Sequence, residues 1–328
     1  MITDSTIALG DRMGAQLSKI ALLMYICQEN GQKLVLWNEL KNFRRGFCFL
    51  EAFDIDNVDY IERASSFKKK ILKYCNDRLN KKNNDWFLLM NRMSKNLFFR
   101  CLYKFIYEWI RWDYKDFKNV GKLKNGVYTD SALLHLGNSG NYDINYGFGT
   151  YQDWKKYEQI VKNSIRFKDE IQSEGQRIFN QITTTDKKKI SVHVRRTDYL
   201  IVSSLNLDAS YYKKAISYFN PNECQFLIFS DDIEGCKKMG IFKNLESRGG
   251  YADVIFMPPN SAGVDMYLMT LCDSNIIANS TFSFWGAFLN KHENKKVVCP
   301  HDFIGNNAKE YLYINGNYYP DDWIAIGG

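Results

Sequence analysis

The densest group of side chains suited to chemistry lies where a predicted strand ends in His193, Arg195 and Arg196. Ligands of open α/β sheets bind beyond the carboxyl ends of the strands. A guanidinium is a permanently charged planar fork that matches phosphate oxygens, but adjacent strand residues point in opposite directions and should not share one task. We expect Arg195 to contact a diphosphate and Arg196 to be tied into the protein, with Asp198 as a candidate partner. A surface arginine–aspartate cluster is the plainer alternative.

A second segment, NSTFSFWG (residues 279–286), predicts an anion site at the start of a helix. Ser280 or Thr281 can cap this helix, and Phe282 and Ser283 fall in its first turn. The first N–H groups of a helix have no partner within the helix and carry partial positive charge, so they attract anions. An ordinary capped helix is the alternative interpretation.

Acidic residues mark two further positions. Ser230 and Asp231 end another predicted strand, in the run IFSDD. Asp265 lies near the start of an otherwise apolar helix, where a carboxylate could accept two hydrogen bonds from a guanine edge. Stabilisation of the positive end of the helix dipole is the other explanation for Asp265.

The second half of the chain alternates between apolar strands and helices. This alternation is typical of a doubly wound parallel α/β domain, which would bring the strand ends to one edge. The predicted strands are 189–194, 225–230, 253–257, 275–278 and 296–299, and the predicted helices are 210–219, 233–239, 262–272 and 281–290.

The chain opens with a similar pattern. An apolar run over 6–9, a glycine-rich turn, a helix over 13–29 and a strand over 33–37 predict the start of another parallel α/β sheet.

A long helical stretch over 152–181 precedes a polar segment, 183–189, which we interpret as an interdomain linker. The sequence therefore predicts an N-terminal domain over 1–185 and a C-terminal domain over 186–328.

Positive charge is concentrated in residues 60–124, which hold 17 lysines and arginines against 6 aspartates and glutamates in a chain of net charge +7. This aromatic-rich stretch predicts a basic helical insertion that could rest on an anionic membrane. A helical layer over the first sheet, with its basic face in solvent, is the alternative. No nucleic-acid-binding motif accompanies the charge, so we do not expect a nucleic acid partner.

The cysteines and the N-terminus predict a cytoplasmic location. None of the eight cysteines forms a C-x-x-C pair or lies at zinc spacing from a histidine, which favours reduced thiols. The start lacks the features of a signal peptide, and the longest apolar run, residues 20–27, is too short to span a bilayer. A peripheral position on the inner membrane face is compatible with both observations.

Taken together and in order, the motifs HVRRTDY (193–199), FSDD (229–232) and DMYLMTLCDSNIIANSTFSFWGAFLN (265–290) resemble glycosyltransferase family 11, the α-1,2-fucosyltransferases. The resemblance extends over about residues 148–303. It implies an α/β, GT-B-like fold of two Rossmann-like domains facing a cleft. It also implies inverting, metal-independent transfer of L-fucose from GDP-L-fucose to the 2-hydroxyl of a terminal β-galactoside. In bacteria such an acceptor, which could be lipid-linked, often belongs to a surface polysaccharide such as O-antigen.

The resemblance also assigns roles within the donor site. Arg195 would hold the β-phosphate, His193 and Asp265 the guanine, and residues 280–284 the diphosphate. Ser230 and Asp231 are expected to line the same site.

The N-terminal motif departs from the family's pattern. The family opens with G-x-L-G-N-Q, and GDRMGAQL retains Gly14 and Gln16 but has Ala15 in place of asparagine. Gly14 and Gln16 are expected to reach the donor. Asp198 and Asp11 are both candidate general bases, and the sequence does not decide between them.

No metal and no resident cofactor are expected. Many nucleotide-sugar enzymes hold a cation on an Asp-x-Asp motif. One such motif, residues 54–56, occurs here, but it lies in the first half and is interpreted as a solvated turn. Arginine and a helix N-terminus could neutralise a diphosphate by themselves.

Two other functions compete with this hypothesis. One is a fucosyltransferase of another linkage, or a transferase of another GDP-sugar, on the same scaffold. The other, from a different class, is a non-catalytic protein that binds a GDP-sugar or a glycan.

Overall fold

The computed structural model of the chain describes residues 1–5, 7, 12–38, 49–71, 105, 108–120, 136, 139–144, 149–182, 186–197, 199–200, 207–242, 253–303 and 318–327. The chain divides into two compact units, the first formed by 1–51 and 55–149, and the second by 52–54 and 150–328.

The elements are numbered along the chain. The strands are β1 (Ile2–Thr3), β2 (Leu34–Trp37), β3 (Phe53–Ile55), β4 (Val58–Ile61), β5 (Lys118–Val120), β6 (Tyr142–Ile144), β7 (Ile165–Phe167), β8 (Lys188–Val194), β9 (Cys224–Ser230), β10 (Asp253–Phe256), β11 (Ser274–Ile276), β12 (Val297–Pro300) and β13 (Ile324–Ile326). The helices are α1 (Met13–Glu29), α2 (Tyr151–Trp154), α3 (Glu158–Ser164), α4 (Asp169–Ile182), α5 (Ala209–Ile216), α6 (Ile233–Lys237), α7 (Ala262–Thr270) and α8 (Thr281–Phe288). Short 3₁₀ turns lie at Phe49–Glu51, Lys155–Tyr157 and Pro221–Glu223.

The first unit contains a parallel sheet in the order β4-β2-β1-β6-β5. Helix α1 is buried along most of its length, as expected of an apolar helix against a parallel sheet. It ends at Asn30, and Gly31 adopts the left-handed conformation (φ +58°) that glycine accepts at a helix C-terminus. The predicted helix over 13–29 is therefore confirmed.

The first strand lies earlier than the predicted run over 6–9, of which only residue 7 is described. Ile2 is buried and pairs with both Leu34 and Tyr142, so the central strand of the sheet forms at the extreme N-terminus. Ser5 then leaves the sheet and bonds to Asp143 through its N–H and its hydroxyl. Pairing with two distant strands, rather than a local apolar run, determines where this strand lies.

The second unit contains a parallel six-stranded sheet in the order β10-β9-β8-β11-β12-β13, the order of a doubly wound dinucleotide-binding sheet. Apolar side chains of β8 and β9 pack against α5 on one face. The opposite face packs against α4 and α7. The two parallel sheets confirm the predicted α/β, GT-B-like class of fold.

The two units change over at residue 150, earlier than the predicted boundary at 185/186. Helix α4 packs so closely on α7 that a Cβ added to Gly175 would lie 2.4 Å from Cδ1 of Tyr267. Strand β7 interrupts the predicted single helix over 152–181, because the Ile165–Phe167 segment pairs with β3. Phe53 and Phe167 meet there with ring centroids 4.4 Å apart. These contacts attach residues 150–182 to the second sheet.

Much of the predicted basic insertion over 60–124 lies outside the described residues. Within its described part, the Lys68 ammonium bonds to the Asp113 carboxylate at 2.6 Å and lies 4.9 Å from the Trp109 ring centroid. None of the described helices has both the length and the apolar character that a bilayer crossing requires.

Candidate active site

The candidate site lies at the point where the strand order of the second sheet reverses. β9 and β10 lie on one side of β8, and β11 to β13 lie on the other. Loops that leave neighbouring strands at such a reversal diverge, and ligands of doubly wound sheets bind in the crevice between them. The register pairs Val194 with Ser230 and Val192 with Ile276. Arg195 and Asp231 are the next residues after the paired Val194 and Ser230, so the same register places them side by side.

Arg195 is held in place from two directions. Its Nη1 lies 2.8 Å from Oδ2 of Asp231, and its guanidinium carbon lies 5.5 Å from the centroid of the Tyr199 ring. Only 13% of the Arg195 side chain is exposed. A guanidinium presents its N–H groups as a planar fork, a geometry that suits an anion such as a phosphate. The side chain is therefore preorganised at the strand end where a ligand is expected.

Arg196 is tied into the protein, as predicted, and its described partner differs from that of Arg195. Its Nε donates to Oδ2 of Asp232 at 2.9 Å. Asp232 also caps α6 by accepting the Gly235 N–H, while its own N–H donates to the Ser230 hydroxyl. The described partner of Arg196 is thus Asp232, and the proposed partner Asp198 lies outside the described residues.

Asp231 organises the turn after β8. Besides the contact with Arg195, its carboxylate accepts the Arg196 N–H at 2.9 Å and the Thr197 hydroxyl. Burial raises the pKa of this carboxyl, but the Arg195 charge and these hydrogen bonds outweigh burial and hold the pKa below its ordinary value. Asp231 is therefore ionised at neutral pH, and the contacts seen here position Arg195.

His193 is buried at the end of β8 with its ring 5.5 Å from that of Phe282. Burial lowers the pKa of His193 to about 4, so the imidazole is neutral at pH 7. Its Nδ1 has no hydrogen-bond partner among the described residues. Because unpaired buried polar atoms are costly, this nitrogen indicates a place for a ligand.

Helix α8 begins beyond β11, on the other side of the reversal. The Ser280 hydroxyl caps it by accepting the Phe282 N–H at 3.3 Å, as predicted. The Ser283 hydroxyl donates to the carbonyl of Ala278 and is fully buried. This helix start can bind an anion through backbone N–H groups near Thr281.

The apolar side of α8 fixes the helix in the second unit. Trp285 stacks on Trp154 with ring centroids 5.9 Å apart and an interplanar angle of 10°. Phe284 and Phe288 meet the same Trp154 ring edge-on. This packing makes the helix start a rigid element, as electrostatic stabilisation of a ligand requires.

Tyr199 joins the two sides of the reversal, and the predictions from sequence did not include it. Its hydroxyl donates to the carbonyl of Asn279 at 3.0 Å, immediately before the cap of α8. Tyr199 is the last residue of the motif HVRRTDY, and Asn279 is the first residue of NSTFSFWG. Their membership of these two motifs is the sequence signal that points to them.

Asp265 lies in the first turn of α7, where Asn260 donates to its Oδ1 at 2.9 Å. Burial raises the pKa of this carboxyl to about 6. Dipole stabilisation alone does not require such burial. A buried carboxyl with a raised pKa is typical of a functional site, where a hydrogen-bonding ligand would stabilise its ionised form.

The residues predicted from the N-terminal motif belong to the first unit. Gly14 lies within the first turn of α1, and its carbonyl accepts the Ser18 hydroxyl. Gln16 is fully buried and accepts the Phe49 N–H at 2.9 Å, which is a structural contact. Their donor role stays a prediction. Asp11 lies outside the described residues, as does the other candidate base, Asp198.

The described part of the chain contains no group of three or more histidine, cysteine or acidic residues arranged to hold a metal ion. Of the Asp-x-Asp motif, Asp54 is an exposed residue of β3 and Asp56 begins the turn that follows. The five described cysteines are free and buried: Cys27, Cys224, Cys236, Cys272 and Cys299.

A doubly wound sheet with a clamped arginine and a capped helix start at its order reversal is typical of α/β proteins that bind phosphate-bearing ligands. Comparison with known families makes the class specific, because the model of glycosyltransferase family 11 matches residues 28–326. The chain belongs to this family.

Several characterised proteins are similar to the chain over part of its length. The α-1,2-colitosyltransferase of Escherichia coli is 41% identical over 145 residues, covering 42% of this chain and 47% of that protein. The O-antigen biosynthesis glycosyltransferase WbnK of Escherichia coli is 32% identical, covering 45% and 48%. Human galactoside α-(1,2)-fucosyltransferase 1 is 28% identical, covering 39% and 38%. The chain thus matches less than half of the length of each of these relatives.

Among solved structures, the fucosyltransferase NodZ from Bradyrhizobium is similar at 17% sequence identity with a TM-score of 0.46. The match covers 87% of this chain and 92% of that one.

Proposed function

We propose that the chain transfers L-fucose from GDP-L-fucose to the 2-hydroxyl of a terminal β-galactoside, with inversion at the anomeric carbon, in the synthesis of a surface polysaccharide such as O-antigen. The observation that carries the proposal is the pairing of a clamped Arg195 with the start of α8 at the order reversal of the second sheet. The names of the α-1,2-fucosyltransferase and the O-antigen glycosyltransferase among its relatives support the linkage and the product.

The diphosphate of the donor would lie between Arg195 and the start of α8. As the bond from the anomeric carbon to the phosphate oxygen breaks, negative charge develops on the leaving GDP. Arg195, which Asp231 and Tyr199 hold in place, and the first N–H groups of α8 would stabilise this charge without reorganisation. The site therefore needs neither a metal ion nor a resident cofactor to neutralise the diphosphate.

The guanine would lie near His193 and Asp265. A neutral imidazole with an unpaired Nδ1 can bond to a base, and an ionised Asp265 can accept the two N–H donors of a guanine edge. The two carboxylate oxygens of Asp265 would favour guanine over bases that lack two adjacent N–H donors.

The acceptor hydroxyl would attack the anomeric carbon from the face opposite the leaving GDP. A carboxylate would assist by accepting its proton, with Asp198 and Asp11 as the two candidates. Alanine and asparagine variants of each, assayed at saturating donor, would identify the base by a loss of kcat of roughly 100-fold or more.

The direct test is incubation of the full chain with GDP-L-fucose and a panel of terminal β-galactosides, followed by linkage analysis of the product. We expect an α-1,2-linked fucose on galactose. A product with another linkage would replace the linkage part of the proposal. Binding of GDP-fucose without transfer to any galactoside would favour the non-catalytic alternative.

A second candidate donor comes from the 41% identity with the α-1,2-colitosyltransferase. On this alternative the chain transfers colitose from GDP-colitose through the same nucleotide contacts. Competition between the two donors in one reaction would decide, because the preferred sugar has the higher kcat/KM.

We also propose that the acceptor is lipid-linked and that the chain works at the inner membrane face. The support is the basic stretch over 60–124, in which Phe67, Phe105 and Trp112 are each at least 65% exposed. Aromatic and basic side chains together bind anionic lipid surfaces. Flotation with anionic vesicles should carry the protein at low salt and release it at high salt, and neutral vesicles serve as the control. Equal recovery with both vesicle types would contradict the proposal.

A further inference from the structure

We infer that Tyr199 is a positioning residue that couples Arg195 to the start of α8, so that both halves of the diphosphate site are held by one side chain. The inference rests on the proposed function, because it assumes that a diphosphate binds between these two elements.

Tyr199 makes a separate contact with each side of the strand-order reversal. Its ring lies under the Arg195 guanidinium, with 5.5 Å between the guanidinium carbon and the ring centroid. Its hydroxyl donates to the Asn279 carbonyl at 3.0 Å. Asn279 immediately precedes Ser280, the cap of α8. The side chain therefore spans the loops that follow β8 and β11.

The ring and the hydroxyl have different consequences. The ring and Asp231 hold the Arg195 guanidinium from two directions, which fixes the direction of its fork. A guanidinium that is already oriented stabilises developing charge on the leaving group, so loss of the ring should lower kcat. The hydroxyl fixes the turn before α8, whose N–H groups would hold the diphosphate before and during reaction. Loss of the hydroxyl should therefore raise the KM for the donor.

Tyr211 provides a matched control, because its hydroxyl bonds to the same segment of chain as the Tyr199 hydroxyl does. Its hydroxyl donates to the Ile277 carbonyl at 2.5 Å, two residues before Asn279. Tyr211 belongs to α5 and is buried in the apolar cluster between this helix and the sheet, on the sheet face opposite the one that carries Phe229. Its loss removes the same kind of bond from the same segment without touching Arg195.

The experiment compares Tyr199→Phe, Tyr199→Leu and Tyr211→Phe in the full chain by donor kinetics, GDP titration calorimetry and thermal melting. For Tyr199→Phe we expect the donor KM and the GDP dissociation constant to rise about 5- to 10-fold, the scale of one hydrogen bond, with kcat within about 2-fold of wild type. Tyr199→Leu should add a loss of kcat of about 10-fold or more, because the guanidinium is no longer oriented. Tyr211→Phe should lower the melting temperature and leave kcat, KM and the dissociation constant unchanged.

Two results would overturn the inference while the proposed function stands. In the first, Tyr199→Phe lowers only the melting temperature, as a purely structural tyrosine would. In the second, Tyr211→Phe changes the donor KM as much as Tyr199→Phe does. If the wild-type chain binds no GDP at all, the proposed donor site is wrong and the inference fails with it.

Discussion

The two parallel sheets of the chain each reverse their strand order once, and the residues at the two reversals are very different. In the first sheet the reversal lies between β1 and β6, where Asp143 accepts two bonds from Ser5 and Asp4 lies 3.7 Å from Lys19. The carboxylate side chains there are 0% and 2% exposed. In the second sheet Arg195 and Asp231 at the reversal are 13% and 21% exposed.

The comparison shows that topology provides a place for a ligand and side chains decide whether it is used. At the first reversal the Asp4 and Asp143 carboxylates are buried, and burial raises the pKa of Asp143. A buried carboxylate disfavours a diphosphate, and Asp143 instead accepts hydrogen bonds from Ser5 and lies 3.7 Å from Arg111. At the second reversal a clamped guanidinium, an unpaired histidine nitrogen and a helix start suit an anionic nucleotide. These differences support the proposal that the donor binds at the second sheet.

The largest effect should come from Arg195. Arg195→Ala is expected to lower kcat by roughly 100-fold or more, the scale of losing one transition-state charge partner. Arg177→Ala, which removes an exposed arginine paired with Glu174 on α4, is the control and should keep full turnover. Near-wild-type turnover in Arg195→Ala would remove the mechanistic claim.

A smaller effect is expected from Asp265, and its size depends on pH. Asp265→Asn should raise the GDP dissociation constant about 10-fold at pH 7.5, because one carboxylate oxygen that would accept an N–H of the guanine edge is replaced by an amide donor. Wild-type affinity should also weaken as the pH falls below about 6, where the carboxyl is protonated, and the variant should not show this change. Titration calorimetry across pH 5 to 8 measures both.

The same substitution should stabilise the protein without ligand. A carboxyl whose pKa is higher in the folded protein than in the unfolded chain reduces stability above the folded pKa, and the reduction disappears below the unfolded pKa. Asp265→Asn should therefore gain about 1–2 kcal/mol at pH 7.5 and nothing near pH 4. Denaturant unfolding of wild type and variant at the two pH values tests this. The same difference in unfolding free energy at both pH values would contradict the burial of an ionised Asp265.

At the first reversal a substitution should change stability and leave the donor untouched. Ser5→Ala removes a 2.7 Å bond to the buried Asp143 carboxylate and should cost about 1–3 kcal/mol of unfolding free energy. The GDP dissociation constant should stay within about 2-fold of wild type. If GDP binding by Ser5→Ala falls by more than the fraction of protein that is unfolded, the comparison between the two reversals is wrong.

The smallest expected effect is that of metal removal. EDTA should leave turnover unchanged, because Arg195 and α8 are proposed to neutralise the diphosphate. Restoration of lost activity by Mg²⁺ or Mn²⁺ would contradict the metal-free reaction.

The sequence predicts the second sheet well because its strands are continuous apolar runs separated by short helices. The predicted strand over 189–194 matches β8 to within one residue, and the predicted helix over 210–219 overlaps α5. Parallel topology then brings the ends of β8 and β11 together, which is why Arg195 and Ser280 could be placed in one site from motifs alone.

Contacts between distant parts of the chain could not be predicted in this way. The pairing of β3 with β7 joins residues more than a hundred positions apart, and no local pattern in Ile165–Phe167 indicates it. The contact between Arg196 and Asp232 is of the same kind, because Asp232 is distant in sequence, whereas the predicted partner Asp198 lies outside the described residues. Tyr199 was overlooked because a ring that orients an arginine has no distinctive spacing.

The central claim is that the donor diphosphate binds at the reversal of the second sheet and not at that of the first. Titration calorimetry of GDP against wild type, Arg195→Ala and Arg111→Ala tests it directly, because Arg111 lies 3.7 Å from Asp143 at the first reversal. We predict a dissociation constant raised about 30-fold or more for Arg195→Ala and changed less than about 2-fold for Arg111→Ala. Unchanged GDP affinity in Arg195→Ala, or an equal loss in both variants, would contradict the account.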